Sequence, residues 1–263
     1  MASSEGIVAR AMRAMQLYLR NSTKVKMARQ EVFDLINFDS PESLSKCLMR
    51  SDQELGGYST ANLDWDEKEK CAHFHGNLSL DLPPSRPEIT RSGYAMFRTK
   101  DRPRNYKNDD LYWNLTDLTH IAMRVKGDRR KYFVNLQSKT ALPTEIHQHR
   151  LFLYDPGNWE VAVIPLNLFL LTHWGRVEHH QVIDKARVKT VGIGLLDRRY
   201  GPFSLKIGWI KAISDDEALR YLQERRERYE IWKQNNPQAA AEEQKLIEKR
   251  EFEKKTREET MDL

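Results

Sequence analysis

The sequence predicts a mainly β, two-layer fold, on three observations. Between Glu31 and Ile213 the chain breaks into short runs of aromatic and β-branched residues, each bounded by clusters of Gly, Pro, Asn and Asp. No long helical pattern separates these runs, which favours an antiparallel sandwich over alternating strands and helices. Several runs also alternate in polarity. In Lys131 to Gln137, for example, Tyr132, Val134 and Leu136 fall on one face and Phe133, Asn135 and Gln137 on the other. With 263 residues, 40% of them hydrophobic and 31% charged, one principal domain with extensions is expected.

The first element, residues 1–31, carries six basic and two acidic groups. Read as a helix, Gly6 to Arg20 gathers Ile7, Ala11, Met15 and Tyr18 on one stripe and Arg10, Arg13 and Arg20 on another face. An arginine-rich, acid-poor amphipathic start fits either a mitochondrial presequence or an N-terminal helix that docks on the domain. Ten strand candidates follow over residues 32–213. They are Val32 to Phe38, Tyr58 to Trp65, Cys71 to Leu82, Tyr94 to Arg98, His120 to Val125, Lys131 to Gln137, Ile146 to Tyr154, Trp159 to Pro165, Val188 to Leu196 and Phe203 to Ile213. In the last of these, simple alternation puts Leu205, Ile207, Trp209 and Lys211 on one face. A long polar loop is expected from Arg98 to Asn114.

Residues 214–263 read as a charged helical extension. Ser214 and Glu217 have the spacing of a capping box, Ala218, Leu222, Tyr229 and Trp232 give a modest apolar side, and Asn235, Asn236 and Pro237 end the helix. Beyond it the Glu/Lys-rich segment to Leu263 has too few apolar residues for a coiled-coil seam and reads as a solvated helix or tail.

Composition excludes several classes of function. Cys47 and Cys71 are the only cysteines, too few for a disulfide framework. The longest apolar run, Val161 to Leu171, is broken by Pro165 and Asn167 and is far shorter than the roughly 20 residues that span a bilayer. A net charge of +5 on so long a chain points to no nucleic acid. Phosphate-binding loops, nucleophile elbows and zinc-protease motifs are missing, so no catalytic residue and no cofactor is assigned. His73 with His75, and His147 with His149, are spaced to share a strand face; Glu145 shares the face of the second pair, which makes a metal conceivable, although solvated strand histidines are the simpler reading. Three turns pair glycine with polar neighbours: Ser51 to Leu63 around Gly56-Gly57, Arg124 to Tyr132 around Gly127-Asp128, and Asp197 to Phe203 around Gly201-Pro202.

Read in order, those segments with Trp159-Glu160-Val161-Ala162-Val163-Ile164-Pro165, Val191-Gly192-Ile193-Gly194-Leu195-Leu196-Asp197 and Gly208-Trp209-Ile210 resemble the complex I intermediate-associated protein family over roughly residues 32 to 213. The resemblance implies a galactose-binding-like jelly-roll sandwich and a non-catalytic role as a chaperone in the assembly of mitochondrial respiratory complex I. It further implies binding to membrane-arm intermediates and other assembly factors, on the matrix side, in peripheral contact with the inner membrane. Positions matching its motifs, and so candidates for partner or ligand contact, are Asp52, Gly57, Ser59, Arg124, Asp128, Tyr132, Asp197 and Pro202. Arg129 departs from it, standing where a second glycine is usual after Gly127-Asp128. The alternative function is a carbohydrate or small-ligand binding module that stacks sugar rings on Tyr112 and Trp113.

Overall fold

The computed structural model describes residues 30–84, 86–140, 142, 144–173, 175–178 and 182–238. The expectations for the amphipathic segment before Gln30 and for the tail after residue 238 lie outside them. Thirteen strands among the described residues build two antiparallel sheets. Sheet A holds β1 (Val32–Asn37), β3 (Thr60–Asp66), β4 (Cys71–Leu78), β6 (His120–Gly127), β9 (Glu160–Pro165) and β13 (Gly201–Ile213), in the order β3-β4-β13-β6-β9. Strand β1 lies along the second half of β13. Sheet B runs β11-β10-β8-β7-β12-β5-β2. Its members are β2 (Cys47–Ser51), β5 (Ala95–Thr99), β7 (Tyr132–Ser138), β8 (Glu145–Arg150), β10 (Leu170–His173), β11 (Arg176–Val177) and β12 (Val188–Leu195). The chain crosses repeatedly between the sheets, the connectivity of a jelly-roll sandwich.

The core fills the space between the layers. Phe74, Leu205, Ile121, Met123 and Val125 project from sheet A, and Phe97, Val134, Leu136, Ile193 and Leu195 from sheet B, all fully buried. Phe74 packs edge-on against Phe97 at 5.3 Å and lies 4.9 Å from Phe203. In β7 Tyr132, Val134 and Leu136 lie inside and Phe133 and Gln137 are half-buried, as alternation predicts, while Asn135 between them is buried and accepts from Gln148 at 2.8 Å.

Strand β13 departs from the expected pattern. A β-bulge between Ile207 and Trp209 shifts its pairing with β6 by one residue. Phe203, Leu205 and Ile207 face the core before it, and Ile210 and Ala212 after it. Trp209 and Lys211 therefore stand on the outer face, not with Leu205 and Ile207. There Trp209 receives a long helix, α1 (Asp215–Asn235), through Tyr221 at 6.1 Å and buried Ala218. Half of the expected capping box forms, Ser214 Oγ accepting from Glu217 N at 3.4 Å, while Ser214 N donates to Glu31 O at 2.8 Å and the Glu217 carboxylate pairs with Arg220. The apolar side of α1 packs on the sandwich near its start. Ala218 is buried and Tyr221 partly so, Arg225 lies over the Tyr154 ring at 4.4 Å, and Tyr229 and Trp232 are exposed.

The strand beginning at Cys71 ends at Leu78 rather than Leu82, and the strand beginning at Glu145 ends at Arg150 rather than Tyr154. Strands β2, β10 and β11 fall in stretches that the sequence left unassigned. Within the described residues no helix is long and apolar enough to cross a membrane.

Candidate functional site

Seven of the eight motif positions collect into two knots, and the eighth stands apart. The first knot forms because Ser51 caps a short 3-10 helix, Asp52–Leu55, which ends at Gly56 with φ +89°. That turn folds the Asp52 side chain inward, where it is 1% exposed. Its Oδ1 accepts from Ser59 N at 3.0 Å, and its Oδ2 accepts from Ser59 Oγ at 2.8 Å, Ser92 Oγ at 2.7 Å and Gly93 N at 2.7 Å. Ser59 Oγ, itself buried, accepts in turn from Ser79 N at 3.0 Å. Gly57 is needed for space, since a Cβ there would stand 2.5 Å from Asp52 Cγ. One carboxylate thus ties three separate loop segments to the edge of the sandwich.

The second knot is centred on Arg130, which the motif reading passed over in favour of its neighbours. Its guanidinium grips Asp197 in two-pronged fashion, Nε to Oδ2 at 2.7 Å and Nη2 to Oδ1 at 2.8 Å. The remaining donors reach the carbonyl oxygens of Arg199, Gly201 and Pro202 at 2.7, 3.0 and 2.9 Å. Burial pushes the Asp197 carboxyl up, and the hydrogen bonds and charge of Arg130 outweigh it, leaving the group below its ordinary value. Asp128 completes the knot, accepting from Arg130 N at 2.8 Å, the Tyr132 hydroxyl at 3.1 Å and Ser204 N at 2.8 Å. Burial, with Asp128 alongside, holds the Tyr132 hydroxyl far above its ordinary range.

Arg124 belongs to neither knot. On the outer face of sheet A it lies over the Trp159 ring at 4.1 Å, and Trp159 Nε1 donates to Glu69 at 2.7 Å. Glu69 also accepts from Lys126 at 3.1 Å and Lys206 at 2.6 Å, and Lys206 bridges to Asp66 at 2.6 Å. The hydrogen bond from Lys206 is the chief cause that holds Glu69 down to about 2, and the same lysine holds Asp66 at about 2.

Two clefts open at opposite ends of β6. One, of 380 Å³, lies between Gly127-Asp128-Arg129 and Pro156-Gly157, with Lys126, Ser204 and Lys206 on its walls. Arg129 is exposed at its rim, while the carboxylate of Asp128 is turned to the knot. The other, of 560 Å³, is largely aliphatic, lined by Leu166, Leu168, Val182 and Ile183 together with His120, Lys185 and Asp215. In it His120 Nδ1 sits 2.9 Å from Thr119 Oγ and 3.4 Å from Asp215, a contact that joins the start of α1 to sheet A.

The histidine pairs do not converge. His73 and His75 stack at 4.3 Å on sheet A, engaged with Ser204 and Asp64 at 2.8 Å each, whereas His147 is 1% exposed in sheet B. No group of three metal-ligating side chains occurs among the described residues. The aromatic platform proposed for sugars is also revised. Trp113 is only 8% exposed, packed in the core and bridged to Val188, and Tyr112 is half-buried with its hydroxyl 3.3 Å from Asp110. An indole inside the core has no free face to stack on a sugar ring.

Residues 36–207 match the family model for complex I intermediate-associated protein 30. The chain is 39% identical over 209 residues to "Complex I intermediate-associated protein 30, mitochondrial" of Neurospora crassa, covering 70% of this chain and 75% of that one. Proteins of the same name from Drosophila melanogaster and Mus musculus are 31% and 29% identical over 68% of the chain, which spans 61% and 55% of their length. Among solved structures, a family 11 carbohydrate-binding module from Clostridium thermocellum is similar at TM-score 0.47 and 12% identity, covering 70% of this chain and 96% of that one. A family 30 module is similar at TM-score 0.46 and 13% identity, covering 70% and 98%.

Proposed function

The chain belongs to the complex I intermediate-associated protein 30 family, and from that premise we propose that it is a non-catalytic assembly factor for mitochondrial respiratory complex I. The observation that carries this reading is the 39% identity to the Neurospora protein over 209 residues, a span long enough to take in the whole sandwich. Its finer content is that the protein holds membrane-arm intermediates, together with other assembly factors, from the matrix side of the inner membrane. In this reading residues 32–213 are the binding body and residues 1–31 and 214–263 are extensions.

The geometry suits a scaffold. Charged groups that would serve catalysis if they faced a cleft are consumed in holding loops in place, as Asp52, Asp128 and Asp197 are. The seven motif positions of the two knots then act on partners indirectly, by fixing the loops that partners meet. Tagged protein recovered from gently solubilised mitochondria, followed by native separation and mass spectrometry, tests the reading. Membrane-arm subunits in sub-complexes smaller than the finished enzyme are expected. Normal amounts of complex I in a strain lacking the protein would sink it.

A further inference from the structure

Loop 100–112 leaves the end of β5 and returns through Trp113, whose N–H donates to Val188 O at 2.8 Å at the start of β12. It is held rigid by its own polar groups. Asn105 Oδ1 accepts from Lys107 N at 2.9 Å and Asp109 N at 2.8 Å, and Asn105 Nδ2 donates to Asp109 at 3.1 Å. Arg104 clasps Asp110 at 3.0 Å, and Arg102 donates to Tyr112 O at 3.0 Å. So many hydrogen bonds fix a turn whose apex carries Tyr106, 90% exposed, with the Lys107 ammonium 5.5 Å from its ring centre. Tyr106 contributes nothing to the core.

The same end of sheet B is cationic. Lys100 N bonds Lys46 O at 2.7 Å, and Lys139 N bonds Arg187 O at 2.9 Å, so the ends of β2, β5, β7 and β12 bring their basic side chains together. Its carboxylates are largely taken up locally, Asp101 by Arg98, Asp110 by Arg104 and Asp184 by Arg187. Lys46, Lys100, Arg102, Lys107, Lys139 and Lys189 form no ion pair with a described carboxylate. The surface is basic and tipped by an exposed amphipathic ring that can lie at headgroup depth. An exposed tyrosine among cations without ion pairs complements an anionic headgroup layer, where the ring takes the interface and the cations the phosphates.

We propose that this end of the sandwich docks on an anionic phospholipid surface, with Tyr106 seated among the headgroups and the six cations over the phosphates. The inference deepens the reading of the protein as peripheral to a membrane, and names the surface that makes the contact. Each lysine beside an anionic surface contributes about a fivefold gain in binding.

The test is flotation of the full chain with vesicles of phosphatidylcholine alone or mixed with an anionic phospholipid. Selective binding to the anionic vesicles is expected, weakening steeply with salt. The combined variant Lys100→Glu, Lys107→Glu, Lys139→Glu, Lys189→Glu is expected to lose at least about tenfold in affinity with an unchanged melting temperature. Tyr106→Ala is expected to lose several-fold at unchanged charge. Equal vesicle binding by the wild type and the quadruple variant would overturn the proposal and place the contact elsewhere, residues 1–29 included. Retention on an immobilised acidic peptide, insensitive to Tyr106→Ala and without any vesicle binding, would also overturn it, in favour of an acidic protein partner. Because the assay uses purified protein and lipid, its failure leaves the assembly role standing, and failure of that role leaves the lipid result standing.

Discussion

Asp52 offers the sharpest test at the residue scale, because one buried carboxylate accepts four hydrogen bonds from segments seven to 41 positions away. Asp52→Ala strands those donors inside the protein, so unfolding in urea is expected to show a loss of about 3 kcal/mol. Gly57→Ala attacks the same knot sterically and is expected to lower the midpoint as well, since its Cβ would meet Asp52. At the second knot, Arg130→Met leaves the fully buried Asp197 carboxylate without its partner, at a cost of about 3 kcal/mol. Adding Asp197→Leu is expected to recover much of that loss, and a double-mutant cycle by denaturant titration measures it. Turn chemistry marked the segments, and the family resemblance singled out Asp52, Gly57, Ser59, Asp128 and Pro202 within them. Neither could show that the carboxylates point inward, because their donors Ser92, Gly93 and Ser204 are remote in sequence. Arg130 was overlooked for the same reason, since nothing beside it announces Asp197, 67 positions on.

The outer face of sheet A carries the next prediction, at the scale of elements. Glu69 and Asp66, ordinarily near 4.5 and 3.8, are both held at about 2, chiefly through Lys206. A carboxyl depressed by folding adds stability that is present above its unfolded value and lost as pH falls through its folded one. The melting temperature is therefore expected to drop between about pH 4.5 and pH 2, and Lys206→Met is expected to flatten that part of the curve. A variant curve parallel to the wild type would assign the acid sensitivity to other groups. Ten strands were legible because β-branched and aromatic runs announce them. Strand β2, Cys-Leu-Met-Arg-Ser, has no such residue and is a strand only because β5 pairs with it. The outward turn of Trp209 was hidden because a bulge shifts the period by one without altering composition. That shift matters to α1, since a continuous period would have turned Trp209 to the core and left Ala218 and Tyr221 nothing to pack on.

For the whole molecule, the question is where the folded body ends. Helix α1 is 21 residues long, about 30 Å, and its first half packs on the sandwich through Ala218, Tyr221 and Arg225. Ser214 N donates to Glu31 O at 2.8 Å, so the entry to β1 and the start of α1 are stitched together before the helix leaves the surface. The described apolar cluster on this face, Ala122, Ile213, Ala218, Val161, Val163, Trp209 and Tyr221, lies at or before Tyr221. A chain ending just after Arg228 is therefore expected to unfold cooperatively within a few degrees of the full chain. One ending at Ser214 uncovers Trp209, Val161 and Val163 and is expected to melt markedly lower. Calorimetry on the two truncations separates the cases. If the longer truncation melts as low as the shorter one, the distal helix braces the sandwich and is part of the body. If the two differ as expected, the cover that α1 gives the sandwich lies in its first half, around Ala218 and Tyr221.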